Sequence, residues 1–164
     1  MMGSGKTSVG RRVAEALDRP LLDTDALVEQ RSGRTVAQLF EQEGEAGFRR
    51  HEADAVVAAA SWPVPAVIAA AGGAVLDPAN RERLRHAGAV IWLSASVATL
   101  AARLTPGGHR PLLGDDVEPV LQRLADERRS LYDEVADAVV VVDDLTTEQV
   151  AECVLAAYAV EVGR

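Results

Sequence analysis

The sequence predicts an α/β protein in three layers: a parallel sheet with helices on both faces. Three observations predict it. Segments with apolar residues at helical spacing alternate along the chain with short, continuous apolar runs. Those runs lack the in–out alternation of a half-exposed strand, so they suit strands buried on both faces. The chain has 164 residues, enough for one domain, 1–164, with its own core.

In order, Ser8 to Leu17 is helical, with Val13, Ala14, Ala16 and Leu17 on one side. Pro20-Leu21-Leu22 is a short strand ending at Asp23. Asp25 to Arg31 and Thr35 to Gln42 are helices; Thr35 and Gln38 make a capping box, and Gly33 and Gly44 mark the ends. Glu45 to Ala60 is a further, longer helix. Ala66 to Ala70 is a strand after Pro63 and Pro65, and Gly72-Gly73 turns the chain. Asp77 caps a helix with Pro78 in its first turn, ending near Gly88. Ala89 to Leu93 is a strand, and Ser96 to Leu104 a helix. Thr105 to Asp116, with Pro106, Gly107, Gly108, Pro111 and Gly114, is a loop between helices. Val117 to Val135 is a long helix, Ala138 to Val142 a strand, and Thr146 with Gln149 caps a last helix running to about Val162.

Apolar residues make up 48% and charged residues 26%, ordinary for a globular domain. No apolar run has the length of a membrane span, and no secretion signal is visible, so a cytoplasmic protein without a membrane partner is expected. Cys153, the single cysteine, lies in an apolar helical pattern and is expected in the core. A formal charge of −8 argues against nucleic acid as the main partner. It also means that an anionic ligand needs cationic groups gathered at one place. Lys6 is the only lysine among seventeen basic residues, and it follows Gly-Ser-Gly. A monomer is expected.

The stretch "MMGSGKTSVGRR" matches the second half of the phosphate-binding pattern G-x-x-x-x-G-K-[ST], which follows a buried strand and opens a helix. Backbone N–H groups from Gly3 to Thr7 can converge on phosphate oxygens, Lys6 can reach the β- and γ-phosphates, and the Thr7 hydroxyl can ligate Mg²⁺. In "LLDTD", either Asp23 and Asp25 face a nucleotide together, one organising the metal's water and one accepting a proton, or Asp23 or Thr24 is the N-cap of a helix. In "GEAGFRRHEAD", Arg49 either pairs with Glu45 and Glu52 on a solvated face or grips an acceptor carboxylate; "RRSLYDEVAD" poses the same choice for Arg128. Gly72 and Gly73 make a tight turn or a close approach to a ligand. Arg110 sits in the glycine- and proline-rich loop, either as a surface arginine or closing over phosphates.

Taken together, GSGKTSVGRRVAEAL, LLDTDALVEQRSGRTVAQLF, GEAGFRRHEAD, GGAV, RPLL and RRSLY resemble shikimate kinase, in order and nearly end to end. The resemblance implies a P-loop kinase fold and transfer of the ATP γ-phosphoryl to the 3-hydroxyl of shikimate, with Mg²⁺, in aromatic biosynthesis. It implies that Gly3, Ser4, Gly5, Lys6, Thr7 and Ser8 hold the phosphates, that Thr7 ligates Mg²⁺ and that Asp23 supports it through water. It implies Asp25 as shikimate ligand and base, and Arg49 and Arg128 as a carboxylate clamp with backbone help at Gly72 and Gly73. It further implies Arg110 on a lid, residues 105 to 116, and Arg103 beside the adenine. Residues 25 to 60 become the shikimate-binding region. The rivals are another small-molecule kinase, such as a gluconate kinase, and a non-catalytic nucleotide-binding protein.

The sequence departs from the family's pattern in three places. Ala71 stands where the family has a glycine. The loop after Val142 reads Asp143-Asp144-Leu145, without the family's arginine. The first glycine of the loop pattern falls one position before Met1, and the strand ahead of it, central in the family's sheet, is absent. The expectation is that Met1 is an internal methionine of a longer chain. The strands at Ala66–Ala70 and Ala89–Leu93 would then each lack a neighbour, and the loop an anchor.

Overall fold

Helices and parallel strands alternate in the computed structural model of the chain, which describes residues 1–104 and 117–163. The order is α1 (Lys6–Ala16), β1 (Leu21–Asp23), α2 (Thr24–Ser32), α3 (Val36–Ala60), β2 (Val67–Ala69), a 3-10 turn (Ala74–Leu76), α4 (Pro78–Ala87), β3 (Ile91–Ser94), α5 (Val97–Arg103), α6 (Val117–Val135), β4 (Ala138–Val141) and α7 (Thr147–Val162). The predicted starts are met by their chemistry. The side chains of Thr35, Asp77, Ser96 and Thr146 each accept a first-turn backbone N–H, and the Thr35/Gln38 and Thr146/Gln149 boxes are both closed.

β1 pairs in parallel with β2, Leu21 opposite Val67 and Asp23 opposite Ala69. β3 pairs in parallel with β4, Ile91 opposite Ala138 and Ser94 opposite Val141. β2 and β3 do not pair with each other. An apolar slot of about 680 Å³ lies between them, lined by residues such as Val67, Ala69, Ile91, Leu93, Val9 and Val13. Strand residues alternate between the two helical layers. Leu93 and Val140 pack with Val9, Val13, Val150 and Val154 of α1 and α7. Trp92 and Val90 pack on the other face with Leu100, Leu121, Tyr132 and Val135 of α5 and α6. A separate cluster joins α2 to α3 through Val28, Leu39, Phe48 and Ala55, with Phe40 stacked on Phe48 at 4.5 Å.

Two expectations change, at Cys153 and Ala16. The two helices expected at Thr35–Gln42 and Glu45–Ala60 are both present within the span of α3, and Gly44 (φ 67°, ψ −175°) breaks the helical backbone between them as expected. Glu43, beside the kink, accepts a hydrogen bond from Arg34 at 2.6 Å, which ties the first turn of α3's approach to its bend. Cys153 is exposed, because α7 turns Val150, Ala151 and Val154 inward and leaves Cys153 on its flank. Likewise Ala16 is exposed, while Val9 and Gly10 extend the buried stripe of α1. Among the described residues no helix is long and apolar enough to cross a membrane. The loop at Thr105–Asp116, with Arg110, lies outside the described residues.

Candidate active site

The polar residues gather at the carboxyl ends of the strands, where ligands of open parallel sheets bind. Met2 to Gly5 curl into α1, with Gly3 and Gly5 at φ 79° and 86°, a conformation that residues with a side chain rarely adopt. The loop is held at its start. Met1 is 7% exposed within the α5–α6 core, and its carbonyl accepts from Ser4 Oγ and Lys6 Nζ, both at 2.8 Å. These two bonds close the loop from within. The open backbone N–H groups of the first turn of α1 follow at once, a ready anion site.

Thr7 Oγ1 donates to Asp23 Oδ2 at 2.6 Å, joining the start of α1 to the end of β1. Asp23 Oδ1 caps α2, accepting from the N–H groups of Asp25 and Ala26 at 3.0 and 3.4 Å. Asp23 thus meets the capping reading of "LLDTD" with one oxygen, while the other accepts from Thr7 at the start of α1. Two hard oxygens on adjacent elements, beside a phosphate loop, fit Mg²⁺, which takes few protein ligands and keeps its waters and phosphates. Among the described residues no group of three or more His, Cys, Asp and Glu side chains forms a dedicated cage.

Asp25 begins α2 and opens to solvent in the cleft. Protein crowding around it, and then the charge of Asp23, push its carboxyl above the usual range, while Lys6 pulls it back. Between the two aspartates, Thr24 is fully buried, and its Oγ1 accepts the N–H of Ala71 at 2.8 Å. That bond ties the end of β1 to the turn after β2. Thr24 was named only as an alternative N-cap, a place that Asp23 takes; its position between two aspartates, pointing the opposite way, was the signal for this tie.

Arg49 pairs with Glu45 (Nη2–Oε1) and Glu52 (Nη1–Oε2), each at 2.8 Å. The pairing is not that of a solvated face. Glu52 is 2% exposed, and burial raises its carboxyl against the pull of Arg49. Arg49's guanidinium packs onto Gly73, where a Cβ would collide with Nη1. Arg128, expected to be either exposed or functional, is 3% exposed. Its Nη1 lies 3.4 Å from the Gly72 carbonyl. Arg49 Nε and Arg128 Nε are both buried with no hydrogen-bond partner. Buried donors of that kind are uncommon; Trp92 Nε1 is a third among the described residues. Glu52 and Tyr132 are the pocket residues that sequence reasoning passed over as possible ligand-site parts. Their signals were spacing: Glu52 three residues after Arg49, Tyr132 four after Arg128.

Arg103 lies apart from this pocket. Its Nη2 donates to the Val142 carbonyl at 2.9 Å, joining α5 to the end of β4. Next to it, Asp143 accepts from the N–H and Oγ of Ser96, at 3.1 and 2.8 Å. Hydrogen bonds from Thr99 and Ser96 hold its carboxyl below the usual range. Ser8 is exposed in the first turn of α1.

A family model described as shikimate kinase matches residues 2–159. A shikimate kinase of Symbiobacterium thermophilum is 50% identical over 153 residues, covering 92% of this chain and 87% of the relative. One from Tolumonas auensis is 42% identical over 152 residues, covering 92% and 88%. Among solved structures, shikimate kinase from Acinetobacter baumannii in complex with shikimate superposes with a TM-score of 0.90 at 37% identity, covering 94% of this chain and 86% of that one. Shikimate kinase from Bacteroides thetaiotaomicron gives 0.84 at 28% identity, covering 95% and 93%. With the phosphate loop, the twin aspartates and the buried arginine pair at the matching end of a parallel sheet, these likenesses agree: the chain belongs to the shikimate kinase family, a family of ATP-using phosphotransferases.

Proposed function

We propose that this chain transfers the γ-phosphoryl of ATP to the 3-hydroxyl of shikimate. The observation that carries the reading is the arginine pair. Arg49 and Arg128 come from different helices to the Gly72–Gly73 turn, each with a buried Nε lacking a partner. Two guanidiniums at one turn suit a carboxylate, which accepts parallel N–H bonds. An acceptor anchored there presents its hydroxyls toward Asp25 and the phosphate loop. That geometry selects an acidic polyol over a neutral one.

The remaining residues take parts in the transfer. Gly3, Ser4, Gly5, Thr7 and Ser8 cradle the phosphates at the start of α1, and Lys6 turns from the Met1 carbonyl to the β- and γ-phosphates. Asp25 orients the acceptor hydroxyl and takes its proton as the O–P bond forms. Thr7 and Asp23 would hold Mg²⁺, which when bound neutralises charge shared by the phosphate oxygens. Arg110, on residues 105 to 116, which lie outside the described residues, adds positive charge at the phosphates. Arg103 borders the adenine through its hold on the loop after β4. Residues 25 to 60 are the acceptor-binding region. Phosphoryl transfer needs alignment and charge neutralisation more than covalent help, and the residues present provide both.

A coupled ADP-release assay with shikimate, gluconate and nucleoside monophosphates tests the reading. Turnover with shikimate is expected. Turnover with gluconate or a nucleotide alone moves the chain to another small-molecule kinase class. ATP binding without any turnover makes it a nucleotide-binding protein.

A further inference from the structure

The carbonyl of Gly72 faces two donors from one helix. Tyr132 Oη donates to it at 2.7 Å; Arg128 Nη1 stands at 3.4 Å from the same oxygen. The two residues are one turn apart on α6, so both overhang the turn after β2. Their distances differ in kind. A separation of 2.7 Å is a full O–H···O bond, whereas 3.4 Å is beyond the usual range for N–H···O. Tyr132 therefore holds the carbonyl by a short bond, and Arg128 shares it by a long, weak one. The ring is fixed from behind: Tyr132 is 7% exposed and stacks on Trp92 at 5.3 Å with 23° between planes. Burial pushes its phenol up, against the pull of Arg128, so the hydroxyl stays a donor through the neutral range.

We propose that Tyr132 is a positioning residue for the acceptor pocket: it occupies the Gly72 carbonyl and so leaves the Arg128 guanidinium turned toward the acceptor's carboxylate. This rests on the reading of the pocket given under Proposed function. The physical reason is that two donors share one acceptor. With the hydroxyl gone, Arg128 Nη1 is the donor left to the buried carbonyl, and its long bond shortens. That move onto Gly72 takes charge away from the place where Arg49 waits. Tyr132 also packs in one cluster with Met1 at the start of the phosphate loop, so KM for ATP is the control for an effect through that contact.

The test uses four proteins: the parent chain, Tyr132→Phe, Arg128→Ala and the double variant, each checked by thermal melt. A net hydrogen-bond contribution sets the scale, so Tyr132→Phe raises KM for shikimate about three- to tenfold. KM for ATP stays within about twofold. In the Arg128→Ala background the same change adds less than about twofold, because the residue through which Tyr132 acts is gone. An unchanged KM for shikimate overturns the proposal, as do equal rises in both KM values or an undiminished effect without Arg128. Should Tyr132→Phe not fold, Trp92→Phe loosens the stack and keeps the hydroxyl; a smaller rise in KM for shikimate alone supports the proposal, and no rise overturns it. A parent chain without shikimate turnover overturns both this proposal and the functional reading. Turnover by the parent with an unaffected Tyr132→Phe overturns only the role of Tyr132.

Discussion

Gly73 shows how a missing side chain serves a charged one. A Cβ there would collide with Arg49 Nη1, which is already committed to Glu52, so the guanidinium cannot yield without breaking a buried pair. Gly73→Ala is expected to raise KM for shikimate roughly tenfold or more, the scale of displacing a charge-assisted contact, with KM for ATP unchanged. Steady-state kinetics reads both. Ala71, the family's departure two residues earlier, has its N–H taken by Thr24 and its side chain buried. Asp25 makes the second test at this scale. As a base it must be ionised, and its crowding by protein and by Asp23 raises the pH at which that happens. The acid limb of kcat/KM should therefore lie above the ordinary aspartate value of about 3.9. Asp25→Asn should lower kcat by about 10²–10⁴ and remove that limb.

Elements bring these residues together through few ties, and one can be cut cleanly. Thr24 joins the end of β1 to the end of β2 by a buried bond to the Ala71 N–H. Thr24→Val keeps the shape and strands that N–H, an expected loss of about 1–3 kcal/mol, read as a lower midpoint in urea. The sequence spoke clearly where an element's chemistry is local. Thr35, Asp77, Ser96 and Thr146 cap the helices assigned to them because a cap needs only its own first turn. It spoke less clearly where the outcome depends on distant packing. The break at Gly44 was legible, but not that Leu39 and Phe48 on either side of it are buried in one cluster with Val28, which holds the two parts of α3 together. Arg128 looked like any arginine in a charged helix; its burial comes from the turn after β2, 56 residues away in sequence. Tyr132 reads as core from its spacing, and only the fold shows that its hydroxyl meets Gly72.

At the scale of the molecule, the sheet is two parallel pairs flanking an apolar slot. Met1 and Gly72 line one end of the slot, and Trp62 and Pro63 line the other. The alternating pattern that foretold parallel strands and two helical layers was legible because the periods of helix and strand differ; the width of the slot was not, since it depends on how the two halves dock.

Phosphorus NMR of the chain incubated with Mg²⁺, ATP and shikimate tests the central claim most directly. The account predicts that ATP is consumed only with shikimate present, giving ADP and one phosphomonoester resonance in equal amounts. Loss of ATP to inorganic phosphate alone, or an unchanged spectrum, would contradict it.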